Sequence, residues 1–204
     1  MDFNLILKNN LKHHFLPHFV LAIFLACVTP ALYGISSLNA INASRPLEMF
    51  LSLTGIILLT PVFQPEQNEN LRDLIRSKKI DYLFICLIRL LYSVFFLALL
   101  FGIFVLIMYY SESQVNIQHF IGGFSSALFL GALGFFFAGV GNNAILGYMI
   151  AMIYYVANFA MKKELKNLYI FSMSAGSFQE KYWLLGASLL IIIVTFLYLK
   201  FKKT

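Results

Sequence analysis

Long apolar runs separated by short polar connections dominate this chain. They cover 15–35, 46–63, 82–110, 120–141, 144–161 and 182–199. Each is about 18 residues or more, the length a helix needs to cross ~30 Å of hydrocarbon at about 1.5 Å per residue. The pattern predicts an all-α integral membrane protein with six transmembrane helices. Only one long, strongly polar stretch lies inside it, QPEQNENLRDLIRSKKID at 64–81.

That stretch has the grammar of a short amphipathic helix. Pro65 suits a first turn. Glu66, Glu69 and Asp73 lie toward the front, and Arg76, Lys78 and Lys79 toward the back, matching the polarity of the helix dipole. Leu71, Leu74 and Ile75 share one face. Such an apolar ridge needs a membrane surface or a protein groove. The flanks carry both signs rather than the basic face that favours lipid, which points to the groove.

The remaining segments carry fewer signals. In 1–14, Phe3, Leu7 and Leu11 recur at helical spacing among Lys8, Lys12, His13 and His14, which reads as an interfacial helix ahead of the first span. The adjacent histidines point to different sides and have no nearby carboxylate or thiol, so no metal site is read there. Pro30 is expected to kink or end the first span, and Pro61 to end the second. Arg89 falls in the first turns of a run longer than a bilayer needs. It either snorkels to the boundary, or faces a polar cavity or an acid of 64–81. Gly123, Ala127, Gly131, Gly134 and Ala138 form a small-residue stripe that lets another helix approach closely. Asn158 either lines a path or bonds a neighbouring helix. The segment 162–181 is long for a hairpin, has an apolar centre, and can re-enter the bundle where protein satisfies its backbone.

Composition fits this reading. Of 204 residues 60% are hydrophobic and only 12% charged, with a mean hydropathy of +0.81, against about a quarter charged in soluble domains. The polar segments are too short for a second domain. The first apolar run, of about 20 residues, exceeds a signal-peptide core, and Pro30 and Tyr33 follow it, so no cleavable signal is expected. Cys27 and Cys86 read as small buried hydrophobes. The net charge of +6 comes from residues flanking the spans and does not imply nucleic acid. With six spans, Lys8, Lys12, Arg72, Arg76, Lys78, Lys79, Arg89, Lys200, Lys202 and Lys203 share one side, and Arg45, Lys162, Lys163, Lys166 and Lys181 the other. Ten against five places both termini in the cytoplasm. No phosphate-cradling glycine loop, HExxH, paired-Asp or GxSxG motif occurs. The histidines lie near span ends, and Glu48 stands alone near the start of the second span, so an enzyme is not expected.

An interfacial N-terminal helix, six spans, a charged helix between spans two and three, and a structured segment before span six together resemble the permease subunit of an ATP-binding-cassette exporter of the type-2 class. The resemblance covers nearly the whole chain, and its most specific part is PEQNENLRDLIRSKKIDYLFICLIRLL. It implies that 1–14 is an elbow helix and that 64–81 is a cytoplasmic coupling helix docking on a separate cytosolic ATPase. There Leu71, Leu74 and Ile75 would enter a groove, and Glu66, Glu69, Arg72, Arg76, Lys78 and Lys79 would contact its surroundings. It implies that 162–178 is an outer re-entrant segment narrowing the exit, with Arg89, Asn158 and Phe171 as candidate path or gate residues. ATP and magnesium would belong to the partner ATPase, and this chain would hold no cofactor. A second permease chain, identical or related, would complete the path in a bacterial plasma (inner) membrane. Aromatic, nearly uncharged spans suit an amphipathic or hydrophobic cargo such as a peptide, lipid or drug, and the class implies antimicrobial peptide export or immunity. Two other readings stand beside it. One is a substrate-capture subunit of a vitamin importer, for which Ala22 and Ala26 would form a docking face. The other is a secondary transporter, hinted at by Pro30 and Arg89.

Overall fold

The computed structural model describes residues 15–67 and 82–202, which are helical wherever they are regular, with no strand among the described residues. The interfacial N-terminal segment and nearly all of the amphipathic 64–81 stretch lie outside them. Among the described residues, five helices are long and apolar enough to cross a membrane, which makes this a multi-pass membrane protein. They are α1 (Leu16–Tyr33), α2 (Ala40–Gln64), α3 (Tyr82–Tyr110), α4 (Ile117–Gly141) and α7 (Gln179–Lys202). Between the last two come α5 (Ala144–Ala160), shorter at 17 residues, and a single turn, α6 (Lys162–Leu165).

Helix α4 is the axis of the bundle, packed against α7, α5 and α2. Its small residues allow this. A Cβ on Gly131 would lie 2.6 Å from the Gly55 carbonyl oxygen, and one on Gly55 would overlap the Ala127 carbonyl. Gly123 faces Leu47 and Phe101, Gly134 faces Thr60, and Gly147 of α5 faces the Gly134 carbonyl and Ala138. The stripe therefore receives α2 along one side and α5 along another, close enough for backbone to meet backbone. Helix α1 is peripheral and turns Leu16, Val20, Ile23 and Phe24 outward. It is held to α3 by the rings of Phe19 and Phe96, with centroids 4.4 Å apart.

Helix α2 is the most altered relative to the sequence pattern. Pro46 was expected to open this span, yet the chain is already helical from Ala40 because the Asn39 side chain caps it through the Asn42 amide. Proline removes one amide and crowds the carbonyl four residues back. The helix accommodates it by widening into a π-helical turn over Pro46–Leu51. Beyond Leu59 it tightens into a 3-10 helix, Thr60–Gln67, around Pro61. Helix α1 runs through Pro30 to Tyr33 and ends at Gly34, whose φ of 68° suits glycine. At the same end of the bundle the connections 34–39 and 111–116 pair. The Ser37 amide donates to the Ser111 carbonyl (3.0 Å) and the Gln114 amide to the Leu38 carbonyl (2.8 Å). The Ser113 hydroxyl donates to the Ile35 carbonyl at 2.7 Å. His119 belongs to a capping box with Asn116, which starts α4 three residues before its apolar run.

Candidate functional site: a buried ion pair beneath the 166–178 connection

The 162–181 connection returns into the bundle at this end. After α6 and a 3-10 turn at Lys166–Leu168, Ile170, Phe171 and Met173 are buried. Their backbone is satisfied by named partners, as a buried connection requires. The Ile170 amide donates to Asn158 Oδ1 at 2.9 Å, while Asn158 Nδ2 donates to the Tyr154 carbonyl at 2.8 Å. The Tyr154 hydroxyl donates to the Leu168 carbonyl at 2.7 Å. The Phe171 ring sits against Phe159 (4.6 Å between centroids), Tyr155 (5.5 Å) and Tyr169 (5.9 Å). The chain then turns through a 3-10 segment, Met173–Ala175, to Gly176, whose φ of 85° favours glycine.

Beneath it lies a charged centre. Glu48 is eight residues past Ala40, about 12 Å along α2, inside the π-helical turn. Its side chain is fully buried and that of Lys181 is 2% exposed, with Nζ and Oε1 2.5 Å apart. The same carboxylate accepts the Met173 amide on Oε1 at 2.8 Å and the Ser174 amide on Oε2 at 2.9 Å. Lys181 Nζ also donates to the Ser126 hydroxyl of α4 at 2.6 Å and to the Ile170 carbonyl. The carboxylate thus has three donors, and the three ammonium protons have three acceptors. Lysine in the first turn of α7 opposes the helix dipole, and burial of either charge alone would cost several kcal/mol. Glu48 answers both demands. Burial, and then the Glu48 carboxylate, push the Tyr169 phenol above its ordinary value. All three ammonium protons and both carboxylate oxygens are thus engaged within the chain. It joins α2, α4, α7 and the 166–178 connection.

The π-helical turn makes a further tie, since the Tyr155 hydroxyl donates to the Met49 carbonyl. Tyr155→Phe is expected to lower the thermal unfolding midpoint in detergent by an amount equivalent to about 1 kcal/mol, leaving the fold intact.

The residues singled out from sequence separate into two ends. Asn158 and Phe171 meet at the buried connection, where Asn158 is saturated by hydrogen bonds and Phe171 is enclosed by rings. Arg89 is at the other end of the bundle. It is 2% exposed and donates from Nη1 to the Val62 carbonyl at 3.2 Å, so it faces inward and does not snorkel. Glu69, Leu71, Arg72, Leu74, Ile75, Arg76, Lys78 and Lys79 lie outside the described residues. Glu66 falls within the 3-10 helix that ends α2. The two cysteines part company: Cys86 is buried and Cys27 exposed. Ala22 is buried against this chain's own core, which removes it from any docking face. The reading of Glu48 as a solitary acid is corrected by Lys181, a partner 133 positions away (181 − 48). The signals available were its being an acid within an apolar span and the lysine next to the aromatic belt. Among the described residues no group of three His, Cys, Asp or Glu is placed to hold a metal ion. No family model, curated protein or solved structure matches this chain.

Proposed function

We propose that the chain is the permease subunit of an ATP-driven exporter, spanning the membrane six times with both termini in the cytoplasm. The observation that carries this reading is the 64–81 sequence, an amphipathic segment with an apolar ridge and flanks of both signs, joining two spans. The chain leaves α2 and enters α3 at the bundle end opposite the buried connection. A segment there has the position from which a cytosolic ATPase would push on two helices at once. α5 counts as the sixth span in this scheme. Its 17 residues cover about 25 Å, and its ends meet the α4–α5 turn and the buried connection. The charge distribution agrees with the orientation. Lys181 is neutralised inside the bundle and Arg89 is buried, leaving nine basic residues on the proposed cytoplasmic side against four opposite (ten minus Arg89, five minus Lys181). A second permease chain would complete a path for an amphipathic or hydrophobic cargo.

Affinity purification in mild detergent tests the reading. An ATP-binding-cassette protein is expected to co-purify with the wild-type chain, and its recovery is expected to fall at least about tenfold with Leu74→Glu, which puts a charge on the ridge. A folded bundle that brings down no ATPase would replace this reading with a secondary transporter, and 64–81 would then be a membrane-surface element.

A further inference from the structure

The buried pair also accounts for how the 166–178 connection is retained, independently of any transport reading. We propose that Glu48 and Lys181 are a latch, and that 172–178, the part of the connection beyond the ties to Tyr154 and Asn158, is a cap that detaches as a unit when the latch is broken, while the helices beneath stay packed. The Leu168 carbonyl and the Ile170 amide are held by Tyr154 and Asn158, and the Ile170 carbonyl by Ser126 and Lys181; beyond them the cap is tied to Glu48 by the amides of Met173 and Ser174. Its internal bonds, Ser177 amide to Ser172 carbonyl (2.9 Å) and Gly176 amide to Met173 carbonyl (2.9 Å), lie within the cap and survive its release. The seat is shaped for withdrawal too. Met173 rests against Gly122, where a Cβ would overlap its sulfur, so side chain meets bare backbone without interlocking. By contrast α2, α4 and α5 are joined by glycine contacts that contain no cap atom. One carboxylate thus receives the cap from one side and α7 from the other. Removing it leaves an unpaired ammonium and two amides without acceptors, and opening the cap to water relieves all three.

Thiol labelling tests this directly. Ser172 is 1% exposed and its hydroxyl has no hydrogen-bond partner, so Ser172→Cys is near-isosteric and reports on the cap. The native Cys86, fully buried among the helices, reports on the bundle. Exposed Cys27 is replaced by alanine. With a water-soluble maleimide and the full chain in detergent, Glu48→Gln is expected to raise the labelling rate at position 172 at least about tenfold, with the Cys86 rate unchanged. Lys181→Met is expected to act in the same direction. The exchange Glu48→Lys with Lys181→Glu should remain open, since a lysine cannot accept the two amides. Unchanged labelling at 172 in both single variants would overturn the latch. Labelling of Cys86 in step with 172, including in a variant that fails to fold, would overturn the separable cap. Recovery of the wild-type rate in the exchanged variant would overturn the assignment of the two amides.

Discussion

Gly55→Ala is expected to prevent the bundle from closing, although it adds one methyl group. The new Cβ would occupy the space of the Ala127 carbonyl oxygen, which is backbone in the middle of α4 and has no rotamer to change. α2 would have to withdraw from α4 along its length, opening the contacts of Gly131 with Gly55 and Leu59 at once. Overpacking in a core costs roughly 1–3 kcal/mol where side chains can give, and here none can, so the cost should reach or exceed the top of that range. Gly131→Leu meets the same wall from the other side. The control is Gly186, which has nothing within 4 Å of its Cβ position. Gly186→Ala removes backbone freedom from the unfolded chain without a clash, and should hold or raise stability by up to about 1 kcal/mol. Monodisperse yield and thermal midpoint in one detergent compare the three. Equal behaviour of Gly55→Ala and Gly186→Ala would mean that α2 and α4 do not touch as described.

The second large effect is asymmetric. Glu48→Leu should cost the cap more than Lys181→Met does. Loss of the carboxylate strands an ammonium and two amides, whereas loss of the ammonium leaves a carboxylate that still accepts both amides. Breaking a buried pair costs about 3–5 kcal/mol, a factor of roughly 10²–10⁴ in opening. Hydrogen exchange of the Met173 and Ser174 amides, followed by mass spectrometry on the peptide containing them, reads that factor directly. The expected order of protection is wild type, then Lys181→Met, then Glu48→Leu. The double variant is expected to exchange more slowly than Glu48→Leu, since no charge is then buried, but faster than wild type, since the amides still lack an acceptor. Equal protection in the two single variants would show that the amides do not rest on Glu48.

The helices were legible in the sequence because their signals are local. The apolar run at 82–110 became α3 with the same limits, and Asn142, with φ of 48°, makes the turn between α4 and α5. Limits shifted where a side chain overrode the hydropathy pattern. The Asn39 cap and the Asn116–His119 box each added a helical turn of polar residues that the pattern reads as loop. Pro46 was read as a start when it is an interior residue tolerated by a widened turn. The small-residue stripe was visible in α4, but its partner Gly55 was not, because one glycine in a neighbouring helix has no period of its own. The pairing of Glu48 with Lys181 was out of reach for the same reason. Each residue has a bland local reading, an acid near a span start and a lysine beside an aromatic belt. Only the fold shows that they meet, with Lys181 also donating to Ser126 and Ile170.

The pairing also dictates an order of events during synthesis. α2 reaches the membrane carrying a carboxylate about 12 Å from its first residue, and the lysine that compensates it is 133 residues later. At about 5–20 residues per second the ribosome needs on the order of ten seconds to supply it, and Arg45, three residues before Glu48 on α2, is exposed. Until then Glu48 must stay protonated, remain in contact with water, or be sheltered by the insertion machinery. The last span therefore does more than complete a count. Its arrival is expected to let the second span settle at its final depth, so nascent chains halted before 181 should be retained by the insertion machinery or degraded, not released as shorter bundles.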